Sequence, residues 1–145
     1  MPNRKILLVE DQLDDIELTK RAFSKNRIYN DIVVVTDGQA ALDYLFKKGI
    51  YADLPEPHLP AVVLLDIKLP KLDGFEVLEA IRANKDTRFL PVVILTSSNE
   101  DQDILKGYKG GANSYVRKPV IFEEFIEAVS KLGMYWLLLN EPPTQ

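Results

Sequence analysis

The chain contains no cysteine. That excludes disulfide staples and zinc sites of the cysteine type. Histidine is nearly absent: His58 stands alone, in a proline-bearing loop, and reads as a solvated loop residue with nothing titratable clearly beside it. There is no Walker A lysine, and Gly107, Gly110 and Gly111 lack the spacing of a dinucleotide fingerprint. No apolar stretch approaches the length of a membrane span. The basic start, Arg4 and Lys5, leads into an apolar run that meets an acid at Glu10, too soon for a signal peptide. Basic charge is in the minority, 18 Lys and Arg against 22 Asp and Glu, a net charge of −4. This argues against nucleic acid as a partner. The expectation is a cytoplasmic protein with neither membrane nor nucleic acid as partner.

What is present is enough for one globular domain: 145 residues, 46% hydrophobic and 28% charged. Lys5–Glu10 carries a continuous apolar run, and Ile32–Val35, Ala61–Leu65 and Pro91–Leu95 repeat the pattern. A weaker run is Ser114–Arg117. Continuous runs rich in β-branched residues predict parallel strands covered on both faces. Helical patterns fall between and after them. Leu18, Ala22 and Phe23 mark an apolar face within Asp14–Lys25. Ala41, Leu42 and Leu45 do so within Gly38–Lys47, and Phe75, Leu78 and Ile81 within Gly74–Ala83. Ile104, Leu105 and Tyr108 predict a fourth helix stopped by Gly110 and Gly111. Phe122, Phe125, Ile126, Val129, Leu132 and Trp136 trace a stripe along the fifth. Five βα units in series predict an α/β fold, a doubly wound parallel sheet with helices on both faces. Gly49–Pro60 is a long loop for an αβ connection.

Ligands of open α/β sheets bind beyond the carboxyl ends of the strands. There the sequence places Glu10 and Asp11 after strand 1, Asp66 at strand 3, Thr96 and Ser97 at strand 4, and Lys118 before Pro119 after strand 5. Three carboxylates in one crevice repel one another, a conflict that a hard divalent cation removes. Mg²⁺ takes oxygen ligands and is commonly held by one or two carboxylates together with phosphate. Asp11 and Asp66 are the expected direct ligands, with Glu10 direct or through water and the Lys68 carbonyl as a further protein ligand. A carboxylate can attack phosphorus to give an aspartyl phosphate, with Lys118 pairing the phosphoryl oxygens and Thr96 donating a hydrogen bond. Singly, each of these residues is an ordinary cap, turn or surface residue; their convergence at one sheet edge is the signal. Asp14 and Asp15 read as openers of helix 1, where negative charge suits the dipole.

Together these pieces resemble the receiver domain of two-component response regulators. The matching segments are Leu8-Val9-Glu10-Asp11, Leu64-Leu65-Asp66-Ile67-Lys68-Leu69-Pro70 with Asp73-Gly74, Ile94-Leu95-Thr96-Ser97, and Gly111-Ala112-Asn113-Ser114-Tyr115 with Lys118-Pro119. They occur in family order across nearly the whole chain. The resemblance implies a flavodoxin-like (βα)5 sheet of strand order 2-1-3-4-5. It implies Mg²⁺ on Glu10 and Asp11, phosphoryl transfer from a histidine kinase to Asp66, and phosphoryl contacts from Thr96 and Lys118. It also implies a cis Lys118–Pro119 bond and a switch in which Thr96 and Tyr115 reorient to repack the face of the fourth helix, fifth strand and fifth helix. Lys68 and Ser98 occupy positions that tune phosphoryl lifetime in the family.

The tail departs from the pattern. Met134-Tyr135-Trp136-Leu137-Leu138-Leu139 is apolar on every side of a helix, more than one buried stripe requires. The expectation is one receiver domain over residues 1–145, with 133–145 an apolar extension of the fifth helix. Tyr135, Trp136 and Leu138 are its expected homodimer contacts. Tail and proline loop are similar to those of small receivers that accompany phytochrome kinases, which makes a phytochrome kinase the expected partner. With the receiver using the whole length, no DNA-binding output domain is expected, so output passes to a protein partner or a phosphorelay. The chain is expected to be a phosphoacceptor that assists its own phosphotransfer and dephosphorylation rather than an enzyme. Alternatives are a Mg²⁺-dependent phosphohydrolase, disfavoured because Lys68 stands where its second acid belongs, an unphosphorylated adaptor, or a flavin-binding module.

Overall fold

The computed structural model describes residues 4–96, 110–112, 114–118 and 121–131. The elements are β1 (Ile6–Val9), α1 (Leu13–Lys25), β2 (Ile32–Val35), α2 (Gly38–Leu45), a 3₁₀ turn (Gly49–Tyr51), β3 (Val62–Asp66), α3 (Gly74–Ala83), β4 (Val92–Thr96), β5 (Ser114–Arg117) and α4 (Phe122–Lys131). The helix expected around Ile104–Tyr108, Pro119 and the apolar tail lie outside the described residues, so α4 is the fifth expected helical pattern. No helix among the described residues is long and apolar enough to cross a membrane.

The five strands pair in parallel in the order β2-β1-β3-β4-β5, as the family resemblance implies. Alternate residues serve opposite faces. Ile6, Leu8, Val62, Leu64, Val93, Leu95 and Val116 pack under Ile16 and Phe23 of α1 and Phe125 of α4. Leu7, Val9, Val63, Leu65, Val92 and Ile94 pack against Ala41, Tyr44 and Leu45 of α2 and Val77, Leu78 and Ile81 of α3. Both layers are apolar, which is why the strands read as continuous runs rather than alternating ones. The Phe23 and Phe125 rings, 4.7 Å apart, join α1 to α4.

Two expectations need correction. Leu18 is 45% exposed, and the buried face of α1 is Ile16, Thr19 and Phe23. The helix is turned so that a threonine lies inward and a leucine outward, an assignment hydropathy alone cannot make. His58 is not a free loop residue. Its Nε2 lies 2.8 Å from the Leu45 carbonyl and its Nδ1 3.0 Å from a Glu56 oxygen, and Lys47 Nζ closes the group at 2.8 Å from Glu56. Leu54 and Leu59 pack on the α2–α3 side of the core, so the proline loop is fastened down over the end of α2.

The helices that flank the site start at defined points. Asp37 accepts from Ala40 N at 2.7 Å to cap α2. Asp73 and Glu76 form a reciprocal capping box that opens α3. Gly74 then sits directly against the backbone at the end of β3. Its N–H donates to Ile67 O at 2.7 Å, and a Cβ there would lie 2.3 Å from Asp66 O and 2.7 Å from Ile67 Cα. Both neighbours are backbone and cannot give way without moving Asp66. Arg82 at the far end of α3 donates to Leu90 O at 2.6 Å and Gly111 O at 2.8 Å, tying the approaches to β4 and β5 together.

Two outcomes are expected. Gly74→Ala should lose about 1–3 kcal/mol in urea unfolding; a change within about 0.5 kcal/mol would mean that the α3 start relaxes freely. Glu56 is held well below its ordinary value of 4.5, at about 2, first by the Lys47 and then by the His58 hydrogen bond. A depressed folded-state value stabilises the fold above 4.5 and loses that contribution as pH falls toward 2. Because Glu56 is exposed, the effect is small and screened by salt. Glu56→Gln should therefore lose less stability than wild type between about pH 6 and about pH 3; equal losses would show that the cluster contributes nothing.

Candidate functional site at the carboxyl edge of the sheet

The register of the sheet brings the site together. Val9 pairs with Leu65, so Glu10 follows beside Asp66, and Asp66 in turn pairs with Leu95 of β4. Thr96 pairs with Arg117, so Lys118 is the first residue beyond β5. Glu10, Asp66 and Lys118 have the parity of Leu8, Leu64 and Val116, residues that face α1 and α4. The first turn of α1 carries Asp15 over the same edge.

Lys118 Nζ lies 2.9 Å from Glu10 Oε2, 2.9 Å from Asp15 Oδ2 and 3.1 Å from Asp66 Oδ2. An ammonium has three donors, and each has its own carboxylate. These contacts span more than a hundred residues of sequence for Glu10 and Asp15. Glu10 also accepts from the N–H of Gln12 at 3.1 Å, and the Lys68 N–H lies 3.4 Å from the other Asp66 oxygen, Oδ1. Glu10 and Asp66 are buried; Asp11 is half-buried and Lys68 exposed.

The electrostatics follow from this crowding. Burial pushes the Glu10 carboxyl up to about 7; the Lys118 hydrogen bond pulls it back down, and the Asp66 charge adds to the rise. Burial by itself would lower the Lys118 ammonium, but its bonds to Glu10 and Asp15 and the charge of Asp66 outweigh that and hold it above the ordinary lysine value. Lysine is therefore a fixed cation here.

The residues present fit a divalent cation. Glu10, Asp11 and Asp66 each offer a carboxylate oxygen, all within 4.8 Å of one another. Asp11 Oδ1 is buried without a hydrogen-bond partner, an acceptor left for something other than protein. All-oxygen ligands are the set that hard divalent cations take. An open cavity of about 500 Å³ borders Asp11, lined also by Gln12, Ile67, Lys68, Pro70 and Phe75.

Of the residues expected from sequence, Glu10, Asp11, Asp66, Lys68 and Lys118 converge. Thr96 ends β4 one residue beyond Leu95, the partner of Asp66, its side chain outside the described residues. Tyr115 is half-buried against the α2–α3 side of the core. Tyr135, Trp136 and Leu138 lie outside the described residues. Asp15 was assigned only to the helix dipole, and its contact with Lys118 was missed. The available signal was its place one helical turn beyond Asp11, on the helix that follows β1 directly.

Residues 6–130 match the family described as the response regulator receiver domain. The bacteriophytochrome response regulator AtBRR is 50% identical, its structure superposing with a TM-score of 0.87 over 97% of this chain and 100% of its own. The probable methanogenesis regulatory protein FilR2 of Methanothrix harundinacea is 42% identical over 95% of this chain and 86% of its own length. Response regulator Rcp1 of Synechocystis sp. is 35% identical over 94% of this chain and 90% of its own. The structure of its Mn²⁺-bound form superposes with a TM-score of 0.75 at 33% identity, over 97% of this chain and 99% of that one. With a family match across nearly its whole length and relatives at 35–50% identity over most of both chains, this chain belongs to the response regulator receiver domain family.

Proposed function

We propose that this chain is a signalling switch that accepts a phosphoryl group on Asp66 from a histidine kinase. The observation that carries the reading is the position of Asp66. It ends β3, the middle strand of the sheet, and its carboxylate meets the Lys118 ammonium while sharing the oxygen cluster with Glu10 and Asp11. In the transfer, an Asp66 oxygen forms a bond to phosphorus as the bond from phosphorus to the kinase imidazole nitrogen breaks. That nitrogen leaves with the electron pair, and an acyl phosphate remains on Asp66. Lys118, already on Asp66, passes its donor to the phosphoryl oxygens, and the Thr96 hydroxyl supplies a second. Glu10, Asp11, Asp66 and the Lys68 carbonyl hold Mg²⁺, whose charge offsets repulsion between carboxylates and phosphoryl group. The divalent cation in the Mn²⁺-bound form of Rcp1 supports that assignment.

The added dianion biases a two-state equilibrium in which Thr96 and Tyr115 reorient and the face around Ile104–Tyr108, β5 and α4 is repacked. A coupling of about 1–3 kcal/mol changes partner affinity roughly 5- to 150-fold. Similarity to bacteriophytochrome response regulators supports a phytochrome kinase as donor. The apolar run Met134–Leu139 supports a homodimer built on Tyr135, Trp136 and Leu138.

Intact mass after incubation with Mg²⁺ and acetyl phosphate tests the switch chemistry. Wild type should gain one labile phosphoryl group, and Asp66→Asn and wild type in excess EDTA none. Phosphate retained by Asp66→Asn would move the acceptor elsewhere. Solution mass by light scattering tests the tail. Trp136→Ala with Leu138→Ala should shift a dimer toward monomer, whereas a variant that stays dimeric would place the interface elsewhere.

A further inference from the structure

Asp15 is bonded to the site without belonging to its oxygen cluster. It lies 2.9 Å from Lys118 Nζ, while the oxygens within mutual reach are those of Glu10, Asp11 and Asp66. The bond that ties Asp15 to the site is the one to the lysine. The other two partners of Lys118 are buried, whereas the Asp15 side chain is 28% exposed, at the mouth. Asp15 is thus the one acceptor that draws the ammonium outward along α1. The opposite pull is evident at Asp11: its Oδ1 is buried and unpartnered. A buried carboxylate oxygen without a donor is costly, and a lysine with a spare N–H at this edge would be drawn to supply one.

We propose that Asp15 is the positioning residue for Lys118. By occupying the third donor of the ammonium it keeps the lysine on Glu10 and Asp66 and leaves Asp11 open to the divalent cation. The inference rests on the phosphoacceptor reading above for its purpose, but its geometry concerns the unphosphorylated chain. When Asp66 carries a phosphoryl group, its own share of Lys118 passes to a phosphoryl oxygen. Asp15 and Glu10 then hold Nζ in place without any movement of the main chain. Without Asp15, one N–H is free, and Lys118 turns toward Asp11 in competition with the cation.

The test is Mn²⁺ affinity by calorimetry on the full, unphosphorylated chain. Four variants are needed: Asp15→Ala, Asp15→Asn, Lys118→Met, and Asp15→Ala with Lys118→Met. Asp15→Ala should weaken Mn²⁺ binding about tenfold, the scale on which outer-shell partners act. Asp15→Asn keeps an acceptor oxygen without the charge and should recover most of that loss. In the Lys118→Met background the same alanine substitution should change affinity by less than about threefold, because no ammonium remains to be misplaced. An unchanged affinity in Asp15→Ala overturns the proposal. So does an equal loss in both backgrounds, the signature of through-space charge or of a merely structural role, and so does an Asn variant no better than Ala. Failure of the phosphoacceptor reading is seen separately, as wild type that binds Mn²⁺ yet gains no phosphoryl group.

Discussion

The Lys118 ammonium is the counter-charge on which the site depends. Four carboxylates, of Glu10, Asp11, Asp15 and Asp66, crowd one edge of the sheet around one lysine. Two like charges 4 Å apart repel by about 4 kcal/mol at an effective dielectric constant near 20. Glu10 registers that strain in its raised proton affinity, which burial begins and Asp66 increases. The lysine offsets part of it, since each N–H meets a separate carboxylate. The lysine's single positive charge does not balance the crowded carboxylates, and the excess lies where Asp11 has an oxygen to spare. A divalent cation and an incoming phosphoryl group are complementary additions to such a site: the first removes the excess, the second needs the removal.

The supports of that arrangement lie in the backbone. The parallel register sets Glu10 beside Asp66 and puts Lys118 at the next strand end. Gly74 lets α3 begin in contact with the Asp66 carbonyl, and the Asp73–Glu76 capping box fixes where it begins. Arg82, at the other end of the same helix, holds the approaches to β4 and β5. The crevice is therefore flanked by one helix pinned at both ends.

Much of this was legible in the sequence. Strands buried on both faces give continuous apolar runs, and these located four of the five strands to within a residue or two; Ser114–Arg117 was fainter because its first and last residues are polar. The acids and the lysine were legible because strand ends are places where a polar residue breaks an apolar run. Three things were not. Leu18 and Thr19 are adjacent, and which of them faces inward depends on how α1 is turned on the sheet. His58 finds its partners, Glu56 and the Leu45 carbonyl, only once the proline loop folds back. Asp15 meets a lysine 103 residues away, and either a dipole role or an ion pair suits an acid in a first helical turn.

The distribution of buried polar groups explains why the fold tolerates such a site. Asn30 donates its side chain to the Arg4 carbonyl and Thr87 to the Ile81 carbonyl. The strands themselves are apolar through both layers. The carboxylate oxygen left without a partner, Asp11 Oδ1, lies at the edge beyond β1 and β3, beside an open cavity. Any ligand that binds the folded edge and not the unfolded chain stabilises the fold by mass action. Occupancy of the acidic cluster and stability of the sheet are consequently one linked quantity. The charges that make the empty edge costly are the same ones that give the cation and the phosphoryl group leverage over the rest of the molecule.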